Sequence, residues 1–111
     1  MEMRIMSREA FLAMPAETVF SYYRPCVFSD LLIKGETANG DFWTVDIIGA
    51  IEFDNTGDFM NKCNQMEDGS SVPLDLEIES REALFDPEQL FAVYEKQDLE
   101  RLIERLARGI K

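Results

Sequence analysis

The clearest periodic pattern in this chain lies between residues 72 and 79, where apolar and polar side chains alternate. The apolar positions are Val72, Leu74, Leu76 and Ile78, and the polar positions between them include Asp75, Glu77 and Glu79. Successive side chains of a strand point to opposite faces of a sheet, so a half-buried antiparallel strand alternates in this way. The segment therefore predicts a strand with one buried face and one acidic face in water.

Turn-forming residues predict further strands. The dipeptide Asn39-Gly40 is strongly favoured in two-residue hairpin turns, and it predicts a hairpin between residues 31 and 48. Residues 18–23 and 90–94 are rich in β-branched and aromatic side chains, which favours two more strands. The short apolar run at 47–51 fits either a strand or a buried helix, because so short a run does not reveal its period.

Three segments carry helix signals. Ser7 is a favourable N-cap for a short helix that Pro15 ends. Thr56 is a candidate N-cap for a second helix that ends near Gly69. A third helix is predicted from about Asp98, with an apolar stripe at helical spacing. The stripe consists of Leu99, Leu102, Ile103, Leu106 and Ile110.

These elements predict an α+β fold in a single domain over residues 1–111. An antiparallel sheet of about five strands packs with two to three helices, the last of which is the amphipathic C-terminal helix. A chain of 111 residues is close to the commonest size of one domain.

Charge is distributed unevenly along the chain, whose net charge is −11. Residues 1–34 are neutral, residues 35–95 hold fifteen acids and two bases, and residues 96–111 carry a net charge of +2. Such segregated charge attracts cationic partners and repels nucleic acid and anionic membranes. The sequence therefore predicts a basic protein surface as the partner, with no direct nucleic-acid or membrane partner.

Several residues needed for common catalytic chemistry are missing from the sequence. Histidine, the commonest general base and transition-metal ligand, is absent. The segment 54–65 begins like a calcium loop, but Phe59 and Gln65 stand where glycine and glutamate are required. No glycine-rich phosphate loop is present. We therefore expect a protein that is not an enzyme and binds no metal or other cofactor.

The two cysteines, Cys26 and Cys63, are too few for a disulfide framework and too far apart for a Cys-x-x-Cys motif. We expect both to be reduced and buried, because free cysteine behaves as a small apolar residue. The sequence shows no secretory segment and no apolar run long enough to span a membrane. These features predict a soluble cytoplasmic protein and leave its oligomeric state open.

The acids of the predicted strand over 72–79 are the first candidate partner-binding residues. Asp75, Glu77 and Glu79 are expected on one face, roughly 6.6 Å apart at about 3.3 Å rise per residue. The acids from neighbouring elements that extend this candidate surface are Asp41, Asp46, Glu82 and Asp86. Trp43 is a candidate apolar anchor beside them. Such an array of carboxylates can imitate nucleic-acid phosphates, although a charged strand face also maintains solubility and blocks edge pairing.

Four stretches of the chain carry a resemblance to known proteins, namely residues 7–20, 25–28, 33–35 and 85–95. They resemble small acidic proteins encoded in tailed-phage genomes. The resemblance implies a phage or prophage origin, and hence the cytoplasm of a host cell as the site of action. It also implies a role in host takeover or in countering host defence.

Charge and resemblance together predict a non-enzymatic inhibitor that acts by nucleic-acid mimicry. Its acidic face is expected to bind the basic nucleic-acid-binding surface of a host defence or nucleic-acid-processing protein, as an anti-CRISPR or anti-restriction protein would. Two alternatives are left open: a self-associating structural or accessory phage protein, and an immunity-type protein that neutralises a basic toxin. Self-association through apolar contacts would tolerate salt, whereas binding through the acidic face would not.

Overall fold

A computed structural model describes residues 2–82 and 85–110 of the chain. The strands are β1 (Arg4–Met6), β2 (Val19–Arg24), β3 (Val27–Phe28), β4 (Leu32–Ala38), β5 (Asp41–Asp46), β6 (Ala50–Ile51), β7 (Leu74–Asp75), β8 (Glu79–Arg81) and β9 (Leu90–Val93). The helices are α1 (Arg8–Leu12), α2 (Thr56–Glu67) and α3 (Lys96–Ala107).

Seven of the described strands form one antiparallel sheet. Its order is β1-β9-β2-β4-β5-β8, and β3 pairs with the end of β2. Strands β6 and β7 form a separate two-stranded ribbon. Because β9 lies between β1 and β2, late and early parts of the chain are hydrogen-bonded to each other. The predicted α+β class with an antiparallel sheet is confirmed.

An aromatic cluster fills the space between α1 and one face of the sheet. Phe11 of α1 is fully buried, and its ring stacks on Phe91 with the centroids 4.2 Å apart. The rings of Phe20 and Phe42 lie 4.6 and 5.1 Å from the Phe11 ring. Aromatic pairs contribute about 0.5–1.5 kcal/mol beyond the area that they bury. Phe11 therefore holds a helix of only five residues against the sheet.

Two tight turns depend on residues with positive φ. In the β4–β5 turn, Asn39 has φ 51° and Gly40 has φ 77°, as the predicted Asn-Gly hairpin requires. In the β2–β3 turn, Cys26 follows Pro25 and has φ 65°, an order typical of a type II turn. Cys26 is exposed at this turn and Cys63 is half-buried. The prediction that both thiols are buried is wrong, because the β2–β3 turn projects away from the core.

The prediction of one continuous strand over 72–79 is also wrong. β7 pairs with β6, whereas β8 begins at Glu79 and pairs with β5. Between them, the carboxylate of Asp75 accepts the backbone N–H of Glu77 at 2.9 Å, a local turn that breaks the strand. Leu74 and Leu76 are 47% and 53% exposed. The alternating pattern therefore does not mark a buried face.

The starts of α2 and α3 differ from the predicted ones by one or two residues. The N-cap of α2 is Asn55 rather than Thr56. α3 begins at Lys96 because Asp98 and Glu95 form a capping box, in which each side chain accepts the other residue's backbone N–H. The ambiguous run at 47–51 is a turn followed by β6.

Candidate functional site

The eight candidate contact residues fall into two groups in the structure. Asp41 and Glu82 are buried, with side chains 0% and 1% exposed. The exposed or half-exposed candidates are Asp46, Asp75, Glu77, Glu79, Asp86 and Trp43. The assignment of Asp41 and Glu82 to a contact surface is therefore corrected: both carboxylates belong to the interior.

Arg8 of α1 is the cation that faces both buried carboxylates. Its Nη2 lies 3.6 Å from Asp41 Oδ1 and 3.2 Å from Glu82 Oε2. The same nitrogen donates a hydrogen bond to the carbonyl of Gly40 at 3.0 Å. A buried carboxylate is costly unless it is paired and hydrogen-bonded. Arg8 therefore permits two acids to lie beneath α1.

Arg81 of β8 completes this buried group and makes it electrically neutral. Its Nε donates to Asp41 Oδ2 at 2.9 Å, and its side chain is 42% exposed. Tyr22 lies near the group, and burial together with the Glu82 carboxylate raises the pKa of its hydroxyl. With two cations and two anions, the group carries no net charge, and Arg81 is its one partly exposed member.

Lys34 is a second buried cation beneath α1, 1% exposed. Its Nζ donates hydrogen bonds to Thr37 Oγ1 at 2.6 Å and to the carbonyl of Gly35 at 3.2 Å. The Nζ also lies 5.9 Å from the centroid of the Phe11 ring. Burial lowers the pKa of Lys34 below its ordinary value, because a charged amine loses solvation in the interior.

Sequence reasoning identified neither Arg8 nor Lys34 as a buried cation, although a weak signal exists for each. Arg8 precedes Phe11 by three positions, which places the two side chains on one face of the helix. Lys34 follows Leu32 by two positions, which places both side chains on one face of β4. Their neighbours along the sequence would thus have indicated the buried side.

Four of the fifteen acids in the segment 35–95 form ion pairs, and both bases of the segment take part in these pairs. We call the other eleven acids the acidic surface. The paired acids are Asp41, Asp58, Glu82 and Glu95. The other eleven form no ion pair within the described residues, and ten of them are exposed. They are Glu36, Asp46, Glu52, Asp54, Glu67, Asp68, Asp75, Glu77, Glu79, Asp86 and Glu88.

Trp43 and Glu79 lie on one face of the sheet, at its β5–β8 edge, where Arg81 is the residue directly opposite Trp43. Glu79 lies opposite Val45, and Trp43, two residues before Val45, points to the same face. A Cβ at Gly35 would lie 2.9 Å from Trp43 Cβ and 3.3 Å from Glu79 Oε2, so the glycine makes room for both side chains. Asp46 follows Val45 and points to the other face. The acidic surface therefore wraps this edge instead of lining a single strand face.

Two of the candidate acids also have a local structural role. The carboxylates of Asp75 and Asp86 accept the backbone N–H of the residues two positions later, Glu77 and Glu88, at 2.9 and 3.0 Å. The side chains of Glu77 and Glu79 accept no hydrogen bond within the described residues. Glu77 and Glu79 are therefore the candidates whose charge can be changed without loss of a turn.

Within residues 2–82 and 85–110, no group of three cysteine, aspartate or glutamate side chains is placed to hold a metal ion. In the same part of the chain, no helix has both the length and the apolar composition needed to cross a membrane.

No protein-family model, curated protein or solved structure matches this chain. Its function is therefore inferred from charge, burial and geometry.

Proposed function

We propose that this chain is a non-enzymatic phage inhibitor that binds a basic, nucleic-acid-binding surface of a host protein. The target belongs to a defence or nucleic-acid-processing complex in the host cytoplasm. One observation carries the proposal: the acidic surface contains eleven acids that form no ion pair within the described residues. Protein surfaces usually mix charges of both signs, whereas both bases of this segment are engaged in ion pairs.

The physical gain on binding comes from relief of repulsion among these acids. A row of lysines and arginines on a partner compensates the carboxylates, steers the encounter and releases counterions, as it does when it binds nucleic acid. The chain would thus compete with nucleic acid for the same basic groove. Binding of this kind weakens steeply as salt rises.

The β5–β8 edge is the proposed centre of the contact. Trp43 is 36% exposed there and lies beside Glu79, so an aromatic anchor stands next to an acid. Tryptophan is enriched among the residues that contribute most to protein interfaces. Glu77 extends the charge towards β7 along the connection between the two strands.

The test is capture of partners from a bacterial host lysate by the immobilised chain. At about 0.1 M salt, where the Debye length is about 10 Å, we expect the chain to retain a nucleic-acid-binding protein. At about 1 M salt, where that length falls to about 3 Å, we expect its release. The variant Glu77→Lys/Glu79→Lys should no longer retain that protein.

A matched control distinguishes loss of the proposed contact residues from a mere change in net charge. Glu2→Lys/Glu17→Lys changes the net charge equally, at two exposed acids in the neutral segment 1–34. The control should retain the same protein as the native chain. Equal retention by both double variants, or capture that tolerates high salt, would contradict the proposal.

A further inference from the structure

Helix α3 lies over the face of the sheet opposite α1, and a cleft runs between this helix and the sheet. The ring of Phe20 points towards Phe11 of α1. Ser21, the next residue of β2, therefore points to the other face, where its Oγ accepts a hydrogen bond from the Tyr94 hydroxyl at 2.9 Å. Ser21 and Tyr94 line a cleft of about 850 Å³ against α3. Sites for small molecules have volumes of about 300–1,000 Å³.

The walls of this cleft are mostly apolar. The apolar residues that line it are Met3, Phe28, Leu31, Leu99 and Leu102. Phe28 is 48% exposed, and the two leucines of α3 are half-buried. The cleft therefore leaves apolar surface in water on both its helix side and its sheet side. An aliphatic chain that filled it would gain about fourfold in affinity for each buried methylene.

Three arginines line the same cleft, and we call them the arginine row. They are Arg101 and Arg105 of α3 and its C-cap Arg108. Their positions i, i+4 and i+7 place the three side chains along one side of the helix. None of them forms an ion pair with any residue in 2–82 or 85–110. The arginine row thus places positive charge at the mouth of an apolar cleft, in a chain whose net charge is −11.

Two acids, Asp98 and Glu104, also line the cleft, but they do not cancel the arginine row. The Asp98 carboxylate already accepts the backbone N–H of Glu95 at 2.8 Å, as part of the helix cap. At 3.6 residues per turn, Glu104 lies farther around the helix from Leu102 than any of the three arginines does. Three cations against two anions leave the lining with one net positive charge.

These features define a ligand with an aliphatic body and an anionic head. The guanidinium of arginine matches the geometry of a carboxylate and can donate two parallel hydrogen bonds to it. A small inorganic anion would leave the apolar walls in water, and an uncharged aliphatic chain would leave the arginine row without a partner. A long-chain carboxylate satisfies both parts of the cleft.

We propose that the cleft binds a long-chain carboxylate such as a fatty acid. The aliphatic chain lies along Phe28, Leu99 and Leu102, and the head group pairs with the arginine row. The net negative charge of the whole chain repels anions, so binding depends on these arginines. The cleft contains none of the eleven acids of the acidic surface, and the proposal does not depend on the function proposed above.

Isothermal titration calorimetry of the full chain with dodecanoate tests the proposal. At neutral pH and about 0.1 M salt, we expect a single site. Its dissociation constant should be at or below about 100 µM, the value typical of one acyl chain on a membrane. Decanoate, which is two methylenes shorter, should bind about fifteenfold more weakly. Butanoate has the same head group with almost no chain, and it should show no binding.

Matched variants test the two parts of the cleft. Arg105→Gln should weaken binding of dodecanoate about tenfold. Lys96→Gln removes an exposed cation of the same helix outside the cleft, and it should bind dodecanoate as the native chain does. Phe28→Ala should weaken binding about fivefold. Its control is Phe53→Ala, since Phe53 is 44% exposed outside the cleft and, like Phe28, contacts one neighbouring aromatic ring edge-on.

Three results would overturn the proposal. The first is no binding of dodecanoate at concentrations up to about 1 mM. The second is butanoate binding as tightly as dodecanoate, which would show a site for small anions only. The third is an equal loss of affinity in each variant and its control, which would place the bound carboxylate outside this cleft. Far-UV circular dichroism should be unchanged in all four variants, because each substituted side chain is exposed.

Discussion

Arg8 connects more of the tertiary structure than any other polar side chain described above. It lies on α1, yet it contacts the β4–β5 turn through Gly40 and the end of the β8 segment through Glu82. It also lies 5.6 Å from the centroid of the Phe42 ring. One guanidinium therefore links the short N-terminal helix to a distant edge of the sheet.

We expect Arg8→Met to lower the free energy of unfolding by about 3–5 kcal/mol, because it removes the cation that faces two buried carboxylates. Arg81→Met is the matched control. It should cost about 1 kcal/mol, since Arg81 is partly exposed and Asp41 still faces Arg8. Urea unfolding at neutral pH measures both losses, and equal losses would contradict the role assigned to Arg8.

Because Lys34 is buried, we expect the free energy of unfolding to vary with pH in the alkaline range. Burial lowers its pKa below the ordinary value of 10.5, so between the two values the unfolded chain binds more protons than the folded chain. The contribution of Lys34 to stability must then increase with pH across that window. Lys34→Met removes this titration and should raise the free energy of unfolding at neutral pH by about 1 kcal/mol.

The measurement is urea unfolding of the native chain and of Lys34→Met at about pH 7 and about pH 10. The free energy of unfolding of Lys34→Met should exceed that of the native chain by less at the higher pH than at the lower pH. In Lys34→Arg the cation does not titrate in this range, so the difference in free energy of unfolding between Lys34→Arg and Lys34→Met should be the same at both pH values. If the difference in free energy of unfolding between Lys34→Met and the native chain grew with pH, Lys34 would not contribute more to stability at higher pH, and the prediction would be wrong.

At the scale of secondary structure, α2 depends on local contacts and contributes no residue to the core. None of its residues is buried, and its ordered start depends on local contacts. The side chain of Asn55 accepts the N–H of Asp58 at 2.9 Å. The N–H of Asp54 and the Lys62 ammonium lower the pKa of the Asp58 carboxyl. Such an element opens locally without global unfolding.

We expect Asn55→Ala to weaken α2 by about 1 kcal/mol. Amide hydrogen exchange in residues 56–67 should become about fivefold faster, while the melting temperature changes little. Ser7→Ala removes the corresponding cap of α1, and Phe11 of α1 lies in the core. Ser7→Ala should therefore lower the melting temperature. If Asn55→Ala lowered the melting temperature equally, α2 would be coupled to the core and the prediction would be wrong.

Elements whose conformation is determined by neighbouring residues in the chain could be predicted from the sequence. Features that depend on residues far apart in the chain could not. Asn39-Gly40 determines the β4–β5 turn by its own φ preferences, and the hairpin there was predicted. The alternation over 72–79 cannot reveal that Asp75 makes a turn or that the two halves pair with different strands. The burial of Asp41 depends on Arg8, which lies 33 positions earlier in the chain. No local pattern around Asp41 carries that information.

At the scale of the whole molecule, nine of the fifteen exposed large apolar side chains among the described residues lie in the acidic segment 35–95. The radius of gyration is 16.4 Å, against about 13 Å for a compact domain of this length. Neither α2 nor α3 contributes a buried residue to the core. The acidic surface lies on residues 35–95, whereas the apolar stripe of α3 belongs to the basic C-terminal segment.

The most direct test of the acidic surface is competition with DNA for the protein that the chain captures. Binding of labelled duplex DNA to that protein is measured against increasing amounts of the native chain at several salt concentrations. We expect the native chain to displace the DNA, with an affinity that falls linearly on logarithmic axes as salt increases. Glu77→Lys/Glu79→Lys should bind roughly tenfold more weakly or worse and with a shallower salt slope, whereas Glu2→Lys/Glu17→Lys should resemble the native chain. Simultaneous binding of DNA and the native chain, or an affinity indifferent to salt, would contradict the account.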